Sequence, residues 1–362
     1  MKKYLVGGAV RDKLLGLEPK EKDWVVVNSS PEELISLGYK QVGKNFPVFL
    51  HPKTFEEYAL ARVEKKVNTG HQGFEFNTEK SVTLEQDLLR RDLTINAIAE
   101  DGDNKLIDPF NGLKDIENRE LRHVSDAFSE DPLRVFRVAR FYASLSEYNF
   151  NIHDSTYIAM QSIVDSGEIE SLSRERLWGE FSKAFSTKEP YKFFEALINS
   201  GTAKKYFPEV VDNEILKKKI IYFAKQNISK DIFISLIGFS VDFLELFGFP
   251  KKIVDLYFIF NEFGAKFLSL ELKKELVLNF LNELDAFRRP DRLYNFLIQI
   301  NCFLDFHNQD ENSKINIFDD ILKNIESKIN YGNLKNLNVA QIKQSVENTN
   351  LNIINKILSK NT

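Results

Sequence analysis

The chain has 362 residues, 43% hydrophobic and 28% charged, enough to bury sizeable cores in two or three domains. Net charge is −4 and neither half carries a basic excess, so a nucleic-acid partner has to be met by a local basic patch. The single cysteine, Cys302, excludes an intramolecular disulfide framework, and no apolar run approaches the ~20 residues of a membrane span, so a cytoplasmic protein with no membrane association is expected.

"MKKYLVGGAV" starts like a short signal peptide, but Arg11 and Asp12 end the apolar run too early. Instead "KYLVGG" and "DWVVVN" read as short strands, with a helix over "AVRDKLLG" between them that Gly16 closes. "SPEELISLG" reads as a helix with Ser30 as N-cap, Pro31 at the first position and Gly38 past the end. "FPVFLHP" and "EEYALARVE" predict a third and a fourth strand. The pattern then dissolves into Gly, Asn, Thr and Lys, which predicts a mobile loop over Val67 to Val82. "TLEQDLLRRDLTINAIAED" reads as a helix capped by Thr83. After about residue 120 strand signals nearly vanish, and "SEDPLRVFRVARFYASL" and "SRERLWGEFSKAF" have helical spacing. The expected fold class is α+β. A small mixed-sheet head over 1–120 precedes a helical neck over 121–190 and a helical body and tail over 191–362.

A strand, Gly-Gly and a helix make a layout for anions, because glycines let a phosphate reach backbone N–H groups at a helix N-terminus. Arg11 lies within a turn of that place; a tight turn with a surface Arg-Asp is the plainer alternative. In "EKDWVVV", Glu21 and Asp23 are two apart at a strand start and can face the same way. Paired carboxylates beside a phosphate site suit Mg²⁺, which takes one or two carboxylates plus substrate phosphates. Glu56 or Glu57 of "EEYALAR" could add a third carboxylate, but strand alternation lets only one of them face the site.

"EDPLRVFRVAR" places Asp131 and Arg134 at i,i+3, Glu130 and Arg134 at i,i+4, and Arg134, Arg137 and Arg140 along one helix side. An Asp-Arg pair can read a base edge: Asp accepts from an exocyclic amino group and Arg donates to a ring acceptor. Cytosine and adenine satisfy both. Uracil and guanine carry a ring N–H there and leave a buried donor unpaired, at a cost of ~1–3 kcal/mol. The same residues also suit an intrahelical salt bridge worth only ~0.3–0.5 kcal/mol.

These segments in this order resemble the class II nucleotidyltransferase family, and within it the bacterial CCA-adding type found in gammaproteobacteria. The resemblance is carried by "YLVGGAVRDKLLG", "DWVVV", "FPVFLHPKTFEEYALAR", "LRRDLTINAIA", "DPFNGLKDIENRELRHV", "EDPLRVFRVARF" and "SRERLWGEF", in register from residue 4 to about 185. It implies a head, neck, body and tail, and addition of C, C and A to the tRNA 3′ end from CTP and ATP with Mg²⁺, by a monomer or weak dimer. It implies Gly8 and Arg11 on the triphosphate, Arg91, Arg137 and Arg140 on the nucleotide, and Asp131 and Arg134 on the base edge, with Glu130 in support. It makes Glu21 and Asp23 the catalytic metal ligands.

Two positions depart from the family pattern. Glu21 stands where the family has Asp, one methylene longer. In the body, Phe239 and Ser240 fall near the His-Asp pair of an appended phosphohydrolase module, and no histidine lies between His153 and His307. Metal-dependent phosphohydrolase activity is therefore expected to be absent. The alternatives that remain are an A-adding, CC-adding or poly(A)-adding sibling, and a non-catalytic RNA-binding relative. Lys217 to Lys219 and Arg288, Arg289 and Arg292 are candidate contacts to RNA phosphates.

Overall fold

Lys2–Val6 (β1) runs from the exposed N-terminus into the core and stops at Gly7, whose φ of +72° turns the chain into a short helix, Gly8–Leu14 (α1). The computed structural model describes residues 1–42, 48–66, 74–77, 80–328 and 339–360. β2 (Asp23–Val27) pairs antiparallel with β1. α2 (Pro31–Ser36) has the expected cap: Ser30 accepts from the Glu33 backbone while the Glu33 side chain accepts from the Ser30 backbone. β3 (Lys40–Val42), β4 (Val48–Leu50) and β5 (Glu57–Leu60) follow. β6 (Val63–Lys66) and β7 (Phe74–Asn77) pair as a separate two-stranded sheet. The expected loop over Val67 to Val82 is thus interrupted by a strand at 74–77; its stretches 67–73 and 78–79 lie outside the described residues.

α3 (Leu84–Leu89) is capped by Thr83 as expected but is far shorter than the predicted helix. Asp92 turns the chain by accepting from the backbone N–H of Leu93 and from the Asn96 amide. Such local bonds compete with helix formation. Two short strands, β8 (Ala99–Glu100) and β9 (Leu106–Ile107), complete a seven-stranded sheet of order β3-β4-β5-β2-β1-β8-β9. Within it β2 and β5 are parallel and the other pairs antiparallel. One sheet face buries Val6 and Val25 with Leu88 and Ala97; the other buries Val26, Tyr58 and Leu60 with Leu34 and Phe49.

Beyond the sheet come α4 (Gly112–Asn118), the two-residue strands β10 (Glu120–Leu121) and β11 (Asn151–Ile152), and the helices α5 (Leu133–Ser144), α6 (Asp154–Ser166), α7 (Arg174–Ala184) and α8 (Tyr191–Asn199). Gly112 is required by packing, since a Cβ there would lie 2.3 Å from the Thr94 carbonyl oxygen. α5 packs against α7 and α8 through Phe136, Phe181 and Phe193, with the Phe181 and Phe185 rings stacked 4.3 Å apart.

The chain forms two compact units, residues 1–213 with Glu245–Gly248, and Glu214–Leu244 with Phe249–Thr362. The predicted head and neck fall inside the first. In the second, the helices Lys251–Ser269, Lys274–Glu283 and Pro290–His307 enclose an aromatic core that includes Phe267, Phe280 and Phe296. Among the described residues no helix is long and apolar enough to cross a membrane.

Candidate active site

The positive φ of Gly7 favours glycine at the end of β1, and a Cβ there would displace the Arg91 guanidinium, whose Nη1 would lie 2.9 Å from it. The bare turn lets the Arg91 guanidinium sit against the backbone. Gly8 opens α1. Arg11, one turn later, donates to Asp12 Oδ1 from Nη2 at 2.7 Å and from Nε at 2.9 Å, and to Asn96 Oδ1 from Nη1 at 2.8 Å.

Val6, Asp23 and Glu57 lie in register across β1, β2 and β5. Register neighbours share a face, so the Asp23 and Glu57 carboxylates project together, on the face that carries Val6 and Val25. Glu56 points the other way: it accepts from Trp24 Nε1 at 3.0 Å and lies 3.7 Å from Lys22 Nζ. The choice between Glu56 and Glu57 thus falls to Glu57. Glu21 lies on a bend before β2 rather than in the strand, so strand alternation does not aim it as expected. It nevertheless lines, with Asp23 and Glu57, one cleft of about 400 Å³.

The Asp23 carboxyl is held above its ordinary range, because surrounding protein displaces water from it and Glu21 adds like charge, against the opposing pull of Arg91. Among the described residues the three carboxylates form no ion pair, and no group of three His, Cys, Asp or Glu side chains is placed to hold a metal unaided. The oxygen-only, mutually repelling donors fit a hard cation that takes its remaining ligands from substrate phosphates and water.

Behind the Gly7 turn lies a network of arginines, each matched by an acid. Arg91 Nη2 donates to Asp87 Oδ2 at 3.3 Å, Arg137 reaches Asp92 Oδ2 at 2.7 Å, and Arg140 Nε donates to Glu180 Oε2 at 2.5 Å. Arg140, Arg11 and Arg137 surround the Phe141 ring at 3.9, 5.2 and 5.7 Å from its centroid. Burial opposes ionisation of Asp92, but Arg137 and the Asn96 amide outweigh it and hold the carboxyl well below the carboxylate range. Asp92 in turn raises the Arg137 guanidinium above its ordinary value. The arginines expected on the nucleotide are therefore each engaged with an acid of the chain.

Asp131 and Arg134 are arranged differently from the expected single helix. Asp131 precedes Pro132, which disfavours helical backbone at the residue before it. It is extended, at φ −121° and ψ 107°, and α5 begins only at Leu133. Asp131 Oδ1 accepts from the Leu133 N–H at 3.1 Å and Oδ2 from Arg176 Nη2 at 2.8 Å. Arg134 is buried and donates to the carbonyls of Ala127 and Arg90. Glu130 ends a 3₁₀ turn outside α5, so it does not share a helix with Arg134. Arg134, Arg137 and Arg140 do lie along one helix, with Arg134 the most buried.

Sequence reading passed over Asp87, Asp92, Asn96, Arg176 and Glu180. Their signal was acids, amides and arginines interleaved inside otherwise apolar stretches, as in "RRDLTIN" and "RERLWGEF". In the second unit Lys219 is not a solvated lysine: it donates to the Ile237 carbonyl at 3.3 Å, and burial lowers its pKa. Arg288 and Arg289 are exposed and lie 2.7 and 3.6 Å from Asp285. Phe239 is fully buried and stacks on Phe243 at 4.2 Å.

Two families match the chain: the Poly A polymerase head domain over residues 3–122, and the probable RNA and SrmB-binding site of polymerase A over residues 149–213. A multifunctional CCA protein of Mannheimia succiniciproducens is 41% identical over 345 residues, covering 82% of each chain. A CCA-adding enzyme of Coxiella burnetii is 44% identical over 311 residues, covering 82% of this chain and 80% of that one. Among solved structures, the Bacillus stearothermophilus CCA-adding enzyme in complex with CTP matches with a TM-score of 0.62 at 23% identity, over 90% of this chain and 78% of that one, a likeness of fold. On these matches the chain belongs to the CCA-adding enzyme family of nucleotidyltransferases.

Proposed function

We propose that this chain adds C, C and A to the 3′ end of tRNA, taking CMP and AMP from CTP and ATP and releasing pyrophosphate. The observation that carries the reading is the row Val6–Asp23–Glu57, which sets paired carboxylates one residue away from the Gly7–Gly8 turn and its arginines. On this reading residues 1–120 act as the catalytic head, 121–190 as the neck that reads the base, and 191–362 as the tRNA-binding body and tail. The protein works in the cytoplasm as a monomer or weak dimer.

Glu21 and Asp23 would hold Mg²⁺, which when bound neutralises the triphosphate and eases ionisation of the attacking hydroxyl. Gly8 and Arg11 receive the triphosphate, and Arg91, Arg137 and Arg140 orient the rest of the nucleotide. Asp131 accepts from the exocyclic amino group of cytosine or adenine and Arg134 donates to the ring acceptor, with Glu130 in support. The tRNA 3′-oxygen forms a bond to the α-phosphorus as the bond to pyrophosphate breaks, and the hydroxyl proton passes to the carboxylate row.

The deciding assay offers radiolabelled CTP and ATP, singly and together, to tRNA lacking its CCA end, with products sized on a gel. Two additions with CTP and a third with both nucleotides are expected. The match to a poly A polymerase head keeps poly(A) addition as the second reading, which a long tail with ATP alone would support. No product from a folded, tRNA-binding sample would favour a non-catalytic relative.

A further inference from the structure

Phe55 is 71% exposed at the lip of the cleft that also holds Glu21, Asp23 and Glu57. Its φ is +59°, a left-handed conformation unfavourable for a bulky side chain. The turn beneath it is tied down. The Phe55 N–H donates to the His51 carbonyl at 3.0 Å, the His51 N–H donates to the Glu56 carbonyl at 3.0 Å, and His51 Nδ1 accepts from the Thr54 N–H at 3.2 Å. Glu56 also accepts from Trp24 Nε1, and Trp24 stacks on Tyr58 at 5.5 Å, so the lip is fixed to the sheet. An unfavourable backbone therefore displays an aromatic ring to solvent on a rigid mount. Lys20 and Lys22 line the same cleft and are exposed.

Flat aromatic faces beside cations are how proteins hold single-stranded nucleic acid without regard to sequence. Chemistry at the carboxylates brings a ribose 3′-hydroxyl into this cleft, and the base of that nucleotide must lie at its lip. We propose that Phe55 is the platform on which the 3′-terminal base of the acceptor RNA stacks, with Lys20 and Lys22 meeting the adjoining phosphates. This rests on the nucleotide-adding reading above. A stack tolerates every base, which suits an end whose last residue changes with each addition.

The test measures binding of tRNA lacking CCA by fluorescence anisotropy, with the terminal nucleotide either intact or abasic, to wild type, Phe55→Gly and Phe55→Trp. Wild type and Phe55→Trp should bind the intact end about tenfold more tightly than the abasic one. Phe55→Gly should erase that difference. Because glycine accepts the left-handed backbone, Phe55→Gly should melt at or above the wild-type temperature, so its loss cannot be assigned to misfolding. In steady state its KM should rise for tRNA and hold for CTP. A Phe55→Gly protein that keeps the wild-type preference for the intact end overturns the proposal. So does a rise in KM for CTP alone, which would place the incoming base on the ring. If wild type adds no nucleotide yet shows the terminal-base preference that Phe55→Gly lacks, the catalytic reading fails and the platform stands.

Discussion

Arg137 and Asp92 form an ion pair at 2.7 Å that ties helix α5 to the turn following α3. Asn96 extends it, donating to Asp92 at 3.1 Å and accepting from Arg11 at 2.8 Å, so an arginine on the first helix and one on the fifth are held through a common amide and carboxylate.

Removing the buried acid of this pair should be costly. Asp92→Asn is expected to destabilise the protein at neutral pH by less than the ~3–5 kcal/mol of a fully buried pair, since Arg137 loses its main counter-charge but is 35% exposed and keeps Glu180 at 3.8 Å. The folded Asp92 pKa is depressed, so its stabilisation is complete above the unfolded carboxyl value near 4 and is lost as pH falls below it. Denaturant melts of both proteins should therefore converge as pH drops below about 4. A gap that stays constant with pH would mean that Asp92 does not act through its charge.

At Asp23 function and stability should part. Asp23→Asn should abolish nucleotide addition, by roughly a thousandfold or more, while tRNA binding persists. Its raised folded pKa means that the ionised carboxylate disfavours the fold above that pKa and not below the unfolded value. The variant should thus melt higher than wild type at pH 7, and the gain should fade as pH falls through the carboxylate range. Glu57→Gln should raise the Mg²⁺ concentration needed for half-maximal addition by about tenfold. Glu21→Asp should match or exceed the wild-type rate if the longer side chain is a compromised ligand. A collapse in rate would show that Glu21 has its own geometry.

Arg134→Ala now has two expected effects. The Ala127 and Arg90 carbonyls lose a buried donor, a destabilisation of about 1–3 kcal/mol each. Loss of the base-edge donor should raise incorporation of U and G relative to C and A by roughly ten- to hundredfold. Competition of four nucleoside triphosphates on tRNA lacking CCA separates the two, because destabilisation alone leaves base choice unchanged. Arg176→Ala should relax the same choice more weakly, as it frees the Asp131 carboxylate from its 2.8 Å partner.

The second unit should show no turnover of 2′,3′-cyclic nucleotides or p-nitrophenyl phosphate with added Ni²⁺ or Mn²⁺. Phe239 fills an aromatic core position there, stacked on Phe243. Metal-dependent turnover by a homogeneous sample would show that this activity resides elsewhere in the chain.

The elements with strong local signals were legible in the sequence: β1, β2, the caps at Ser30 and Thr83, and the helical character of the second unit. The misreadings have particular causes. The helix drawn from Thr83 to Asp101 ran past Leu89 because Asp92 satisfies backbone that periodicity alone assigned to a helix. "EDPLR" was read as one helix although Pro132 keeps Asp131 extended. The strands β8 and β9 have two residues each, too few for any alternation to register. In the site, Glu57 could not be told from Glu56 without the β2–β5 register, and Asp92 and Glu180 became visible only as partners of arginines distant in sequence.

Arg11, Arg91, Arg137 and Arg140 each lie against an acid, Asp12, Asp87, Asp92 and Glu180, with Asp87 shared with Arg90 and Glu180 shared between Arg137 and Arg140, which bears on what can enter among them. Most of the positive charge in such a cluster is neutralised internally at rest. An arriving anion gains little from long-range attraction and must take a guanidinium over from a resident carboxylate. A singly charged ester competes poorly in that exchange, whereas a triphosphate presents several oxygens at once and can displace several carboxylates together. The cluster is thereby a discriminator of charge number. Inorganic phosphate and monophosphates should inhibit weakly, and nucleotide affinity should depend less on salt than four uncompensated arginines would make it.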